Sequence, residues 1–549
     1  MAIRKLGLLA PICGMAIVAG SSVDYLYAQV NTIRPAEPIV SAARFVPQQA
    51  VMAVSFSPDR KTWSQLDRFH TPNTKKLFNR AIASSQTSIF PKYDFERDIQ
   101  PWLGNVTFVV FPNTSMASKN EGSSESNFLF IIEVKDINNA SKFIEEETVN
   151  NSGKVSPKEE YQGFKIVQID YENGKPFIYT FVDKYLVFAE QEVLLKKAID
   201  TYKSKVSLAS AIAKDNLDLK NPVFWLYMPN LPGFIEQFSS SYADLPAESL
   251  TALNSIESIN LGIGIDSDGI RLKASTKLKP KSIYLNVFKP SPGRIISQFP
   301  SETIGLVSGS DLKTHWQQLV RDVERMPELK TSLQEFRLVL KSSPLALDLD
   351  KDVFGWMDGE FAFAGISTQE GIFAQLGFAP VWILQTSDRR SAESLLKKLN
   401  EFIKGSFGLV ETKTIGSIPV TQWMFPGAPE PILSYGWYRN DTMFVTFGGS
   451  LPKLLASKPQ EPLPDSSAFR AIAGSLPRPN LGYFYLDMDK TWKLISAKFP
   501  DSANISPEAT AILSRIRGIG VTVTAPDSST TQTEMLLSLK QRGFGGVWY

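Results

Sequence analysis

The sequence predicts an α+β fold: two tandem copies of a mainly antiparallel sheet domain with packed helices, after an N-terminal signal or anchor segment. Three observations lead there. Four motifs return in the same order, 252 to 256 residues apart. Each copy sets short apolar runs beside polar breaks such as Asp183-Lys184 and Arg439-Asn440-Asp441, the pattern of strands joined by tight turns. Each copy also places one segment of helical spacing just after a strand. Helices gathered on one face of an antiparallel sheet follow, in place of a doubly wound parallel fold.

The reading divides the chain into a signal peptide or membrane anchor (1–28), a linker (29–44), a first repeat (45–280), a second linker (281–298) and a second repeat (299–549). Its 549 residues exceed what one core usually serves. With 43% hydrophobic and 21% charged residues, and 35 Phe, 16 Tyr and 10 Trp, the composition is that of a globular protein. Lys and Arg number 58 against 56 Asp and Glu, so the basic footprint of phosphate-backbone binding is missing and no nucleic-acid partner is expected.

At the amino terminus, Arg4 and Lys5 precede the almost uncharged stretch from Leu6 to Val23, a basic region and an apolar region as in a secretory signal. Residues 6–23 are also just long enough to anchor in a bilayer. Cleavage after Ala19-Gly20-Ser21 or Leu26-Tyr27-Ala28 and retention as an anchor both stay open, and both mean export. The positive-inside bias leaves Arg4 and Lys5 in the cytoplasm. Cys13, the one cysteine, follows Ile12 where a lipidation motif wants Gly or Ala, and it leaves the exported part without disulfides. Asn31 to Pro47, rich in Pro and Ala, reads as a tether.

The repeat is carried by named residues. Lys61-Thr62-Trp63-Ser64-Gln65-Leu66 returns as Lys313-Thr314-His315-Trp316-Gln317-Gln318-Leu319, and Asp94-Phe95-Glu96-Arg97-Asp98 before Trp102 returns as Asp348-Leu349-Asp350-Lys351-Asp352 before Trp356. Asp136, Ala140, Phe143 and Ile144 match Asp388, Ala392, Leu395 and Leu396, and Gly262-Ile263-Gly264-Ile265 matches Gly518-Ile519-Gly520-Val521. In the first copy Phe128 to Val134 is a strand, Asp136 caps a helix, and Phe164 to Ile169, Phe177 to Val182 and Tyr185 to Ala189 are strands. The second copy has a strand at Val381 to Leu384 and a cap at Asp388 or Ser391. Ala392, Leu395, Leu396, Leu399 and Phe402 then form one stripe on a helix ending near Gly405. Strands follow at Ile418 to Met424, Ser434 to Tyr438 and Met443 to Phe447. Lys279 to Arg294, with Pro280, Pro290, Pro292 and Gly293, connects the copies.

The Phe45-Val46-Pro47 opening, the acidic run into Trp102-Leu103-Gly104, and the strand followed by the Asp136-to-Ala140 helix are similar to the bacterial, mainly cyanobacterial, family of unknown function numbered 3352. The resemblance covers most of the exported chain. It implies an exported or membrane-tethered protein and brings no activity, cofactor or site residue. The second copy departs from the pattern, with Gly355 in place of Pro101 and Asp358 in place of Gly104.

Little catalytic chemistry is available. His70 and His315 are the only imidazoles; His70 reads as a surface or capping residue, and His315 stands where the first copy has Thr62. Asp348, Asp350 and Asp352, like Asp94, Glu96 and Asp98, alternate. In an extended segment all three carboxylates would share one side, as a calcium site requires, which makes Asp348, Asp350 and Asp352 the candidate metal ligands. The EF-hand pattern fails, because Val353 and Gly359 occupy its Gly and Glu positions. Gly262-x-Gly264 precedes no helix and reads as strand, not as a phosphate loop. Phe224-Trp225-Leu226-Tyr227 and Tyr483-Phe484-Tyr485-Leu486 read as buried strands, or as the wall of a lipid or pigment pocket. The tail Arg542 to Tyr549 ends in aromatics as barrel strands do, but the amphipathic helices argue against a barrel.

The expectation is a noncatalytic binding or scaffold protein of the envelope or thylakoid lumen, exported to the periplasm or lumen and held to the membrane by residues 6–23. It needs no cofactor and meets an unidentified protein or apolar ligand. An exported hydrolase working through carboxylates alone, and a lipid- or pigment-binding protein, are the alternatives.

Overall fold

A computed structural model describes residues 39–77, 93–112, 127–172, 175–238, 247–280, 282, 289–406, 408–449, 451–498 and 506–541. The signal or anchor segment and the aromatic tail lie outside the described residues. Two compact units are distinguished, one comprising 39–245, 252–279 and residue 541, the other 246–251 and 280–540.

In the first unit the strands are β1 (Met52–Phe56), β2 (Leu103–Val110), β3 (Phe128–Val134), β4 (Lys154–Tyr161), β5 (Phe164–Asp170), β6 (Phe177–Val182), β7 (Tyr185–Ala189), β8 (Pro222–Met228), β9 (Ile256–Asp266) and β10 (Gly269–Leu278). They pair antiparallel throughout, in the order β10-β9-β8-β1-β2-β3-β7-β6-β5-β4. The second unit has β11 (Thr303–Ser310), β12 (Glu360–Ser367), β13 (Phe378–Gln385), β14 (Leu409–Ile415), β15 (Ile418–Met424), β16 (Leu433–Trp437), β17 (Thr442–Phe447), β18 (Tyr483–Asp487), β19 (Ile516–Thr524) and β20 (Thr530–Leu539). Its order is β20-β19-β18-β11-β12-β13-β17-β16-β15-β14, again all antiparallel. The α+β class follows from these sheets and the helices on them.

The helices do not share one face, and this corrects the sequence reading. In β3, Leu129 and Ile131 enter one core cluster while Phe130, Ile132 and Val134 enter another, so the strand is buried on both sides. The Glu192–Ser204 helix covers the first side with Leu194, Leu195, Ala198 and Ile199, and the Ile137–Asn150 helix covers the second with Ala140, Phe143 and Ile144. A strand covered twice shows no period of two, which is why Phe128 to Val134 reads as a plain apolar run. In the second unit, Val381 and Ile383 of β13 belong to one cluster with Phe469 and Ile472 of the Ser467–Ala473 helix. Leu384 joins Leu395 and Leu396 of the Arg389–Gly405 helix in the other.

Local signals set the element ends. The Asp136 side chain accepts from the Asn139 amide at 3.1 Å, and Asp388 from the Ser391 amide at 3.1 Å, so Asp388 is the cap and Ser391 lies inside the first turn. Asp183, at φ 51°, turns the β6–β7 hairpin. Both expected linkers are shorter than the sequence implies. Ile39, Ala42, Ala43, Phe45 and Val46 are buried in the first core, and Ile295 and Ile296 in the second unit's core. Pro and Ala composition signals a connection but does not reveal the few apolar residues that pack.

The turn after each tryptophan also differs from the expected substitution. A Cβ on Gly104 would meet the Glu133 carbonyl oxygen at 2.7 Å, and one on Gly359 would meet that of Gln385 at 2.6 Å. The close approach that needs glycine is therefore kept in the second unit one residue later, with Asp358 inserted before it. Gly359→Ala should lower stability by about 1–3 kcal/mol, because backbone must move to admit a methyl group. Chemical denaturation would detect it, and an unchanged midpoint would show that the strand ends are free to part.

Candidate functional site

The acidic runs have a structural use. Phe95–Ile99 and Leu349–Val353 each form a single π-helical turn, not an extended edge. Asp348 caps its turn by accepting from the amides of Asp350 and Lys351, both at 3.1 Å, and the Asp352 carboxylate accepts from the Asp348 amide at 3.0 Å. Asp94 and Asp98 do the same, the former accepting from the Arg97 amide at 2.9 Å and the latter from the Asp94 amide at 2.8 Å. Each turn then offers a backbone carbonyl to the buried tryptophan behind it. Trp102 Nε1 donates to the Asp98 oxygen at 2.9 Å and Trp356 Nε1 to that of Asp352 at 3.0 Å.

Asp350, the middle acid, turns away from the other two. It accepts from Trp316 Nε1 at 2.7 Å and from Arg337 at 2.8 Å, while Asp352 pairs with Lys398 Nζ at 2.8 Å. Asp348, Asp350 and Asp352 thus do not converge, and among the described residues no group of three or more His, Cys, Asp or Glu is placed to hold a metal ion. Period two fails as a guide here because the segment is helical and its carboxylates are spent on amides and cations. The hydrogen bond from Lys398 holds the Asp352 carboxyl below the usual carboxylate range, against the opposing push of burial.

The imidazoles stay apart from any nucleophile pattern. His70 ends a short 3-10 turn with Nδ1 3.7 Å from Asp67, and burial lowers its pKa. His315 is exposed on the Leu312–Val323 helix. Trp63 and Trp316 both follow the first strand of their unit but bond differently, Trp63 Nε1 donating to the Ser57 carbonyl at 2.8 Å. Two clefts flank the Arg389–Gly405 helix. One, of about 630 Å³, runs along Pro344, Leu345, Ser394, Lys398, Glu401 and Phe402; the other, of about 250 Å³, lies beside Tyr435 and Trp437. In the larger, Lys398 is paired with Asp352 and Glu401 with Lys404.

A line of exposed apolar side chains lies on the second unit's sheet. Val307 pairs with Phe484 on one side and Phe363 on the other, and Phe363 pairs with Trp382, so one line crosses β18, β11, β12 and β13. Directly paired residues point to the same face of a sheet. Val307 is 46% exposed, Trp382 and Phe484 each 40%. Trp382 makes edge contacts with Phe363 at 5.7 Å and Phe447 at 5.2 Å, fixing the row as a rigid aromatic surface. The corresponding line of the first unit, Leu226, Val54, Phe108 and Phe130, ends in Phe130, which is buried and stacked on Phe188 at 4.8 Å.

This corrects the reading of Tyr483 to Leu486 as a buried strand. Tyr483 and Tyr485 are in the core, whereas Phe484 lies on the open face. Phe224 to Tyr227 splits likewise, Trp225 and Tyr227 inward, Phe224 and Leu226 half-buried. Val307, Phe363 and Trp382 belong to no motif of the linear sequence. A signal existed in β12, where Phe361 and Phe363 alternate with Ala362 and Ala364. The alanines are buried, so the large side chains are left for the other face.

The Protein of unknown function (DUF3352) family matches residues 9–539. The chain belongs to this family. Its membership brings no activity and leaves the site to be read from its own residues. Similar solved structures include crystal forms III and IV of TP0453, each 12% identical, both covering 44% of this chain and 81% and 85% of theirs, with TM-scores of 0.25 and 0.24. Likeness at this level carries no functional argument. No curated protein matches the sequence.

Lys398→Met should raise the Asp352 pKa. A carboxyl held below its unfolded value adds stability above that value and loses it as pH falls through the folded one. The variant's deficit in urea midpoint should therefore be largest near neutral pH and shrink below about pH 3. A deficit independent of pH would mean that Lys398 acts through packing alone.

Proposed function

We propose that this DUF3352 protein is a noncatalytic binding or scaffold protein, two tandem copies of one domain, exported to the periplasm or thylakoid lumen and held at the membrane by residues 6–23. Its second copy meets an apolar ligand or partner on the open sheet face. The observation that carries the binding reading is the row Phe484, Val307, Phe363 and Trp382, because soluble surfaces seldom spend contiguous aromatics without a partner. The tandem reading is supported by the identical strand order of the two units and by the Asp-capped turn before each buried tryptophan. Export is supported by Arg4 and Lys5 before an apolar stretch. No helix among the described residues is long and apolar enough to cross a membrane.

The hydrolase alternative draws no observation to its side. Four deeply buried acids are committed: Glu133 accepts from Asn105 Nδ2 at 2.9 Å and pairs with Lys184, Glu360 accepts from Ser291 at 2.7 Å and from the Arg294 amide at 3.1 Å, and Asp311 and Asp487 pair with Lys289 and Lys490.

Trp382→Ser with Phe484→Ser should leave the unfolding midpoint within about 1 kcal/mol of the parent, as both rings are substantially exposed. It should weaken binding of the amphiphilic dye anilinonaphthalene sulfonate by about fivefold or more, read by fluorescence. Undiminished binding with an intact fold would remove this face from the reading. For location, protease added from the far side of the membrane should digest the full chain, while deletion of residues 2–28 should leave a soluble cytoplasmic protein. Full protection of the intact chain would overturn export.

A further inference from the structure

The chain enters the first unit at one defined place. Ile39 to Val46 pack into the core, with the Ser41–Phe45 turn laid against the carboxyl-terminal end of the Glu192–Ser204 helix. Phe45 stacks on Tyr202 at 4.8 Å, the Leu208 amide donates to the Val46 carbonyl at 2.9 Å, and Ser41 Oγ meets Tyr185 OH at 2.9 Å. From Asp24, the first charge after the apolar stretch, to Pro38 the chain has 15 residues. Even fully extended these span no more than about 50 Å, so an anchored segment would keep this end of the unit nearest the bilayer.

The same end is basic and carries an exposed apolar residue. Lys203 and Lys205 are exposed and make no ion pair among the described residues, and Lys197 on the helix is likewise exposed. Arg44 lies over the rings of Tyr185 at 4.7 Å and Tyr202 at 5.6 Å. Lys205 occupies the left-handed position that closes the helix, at φ 61°, where glycine would cost least. Next to it Val206 is 62% exposed. The acids nearby are engaged with neutral donors. Asp183 accepts from Tyr202, and Asp200 from Tyr161 and Gln162. Lys184 is paired with Glu133. The balance of Arg44, Lys197, Lys203 and Lys205 against Asp183 and Asp200 is positive.

We propose that this end of the first unit, built from Arg44, Lys203, Lys205 and Val206, rests on the anionic surface of the bilayer that holds residues 6–23. The inference depends on the tether reading above and adds an orientation to it. Each lysine near an anionic leaflet adds attraction that fades within a Debye length, and Val206 dips into the headgroup region between them. The tether supplies proximity, and the basic end then fixes which side of the domain faces lipid.

The test uses the full chain with Cys13→Ser and a single cysteine at Val206→Cys, or at Val155→Cys on β4 as reference, each labelled with an environment-sensitive dye. The protein is reconstituted in vesicles of phosphatidylcholine with about 30% phosphatidylglycerol and a nitroxide-headgroup lipid. Quenching at 206 should exceed that at 155 by about threefold or more. It should fall toward the reference level in about 0.5 M salt, and in Lys203→Glu with Lys205→Glu. Equal, low quenching at both sites while the chain still floats with vesicles would overturn the docking but leave the tether intact. Failure to float would overturn both. Strong quenching at 206 in phosphatidylcholine alone, unaffected by salt, would overturn the role of anionic lipid. The salt series on the parent cysteine protein decides the matter should the charge variant fold poorly.

Discussion

Burial of β3 on both faces is the constraint on which the first unit is organised; in the second, β13 packs against a core cluster on each side but leaves Trp382 open. A strand with no solvent side needs an element above and another below it. Phe130, Ile132 and Val134 therefore require the Ile137–Asn150 helix, while Leu129 and Ile131 require the Ser41–Phe45 turn and the Glu192–Ser204 helix. Each large side chain moved from water adds roughly 1.5–3 kcal/mol, and the central strand contributes on both sides at once. The same demand draws Ile39 to Val46 out of the linker and into the core. The chain ahead of β1 is thus fastened to the unit by packing.

The aspartates before Trp102 and Trp356 show how one local device serves packing. A π-helical turn leaves amides unsatisfied, and two carboxylates four residues apart close it from both ends. The turn in turn aims a carbonyl at the indole nitrogen, which could not be buried without a partner. Acid spacing that suggests cation binding is here spent on backbone amides, and in the second unit Arg337 and Lys398 neutralise what remains.

Coverage of the sheets is incomplete, and the aromatic row of the second unit lies where it stops. Alanine at 362 and 364 fills the covered face of β12. Phe361 and Phe363 are sent to the other side, where Trp382 and Phe484 continue the row and stay exposed, with no helix among the described residues burying them. A rigid aromatic surface on a stable sheet has little conformational freedom to lose on contact. The basic end of the first unit supplies a different kind of surface, suited to charge and proximity instead of apolar burial.

The sequence by itself determined the strand Phe128 to Val134, the hairpins at Asp183 and at Arg439 to Asp441, and the caps Asp136 and Asp388. It did so because these depend on side chains reaching backbone within a few residues. The family, too, was legible from short motifs. Only the tertiary structure decided that β3 is covered on both faces, that Asp348, Asp350 and Asp352 diverge, and that Trp382 and Phe484 share a line with Val307. Each of those depends on which strands are neighbours and in what register. Residues 307, 363, 382 and 484 are far apart in the chain, and no local periodicity encodes their alignment.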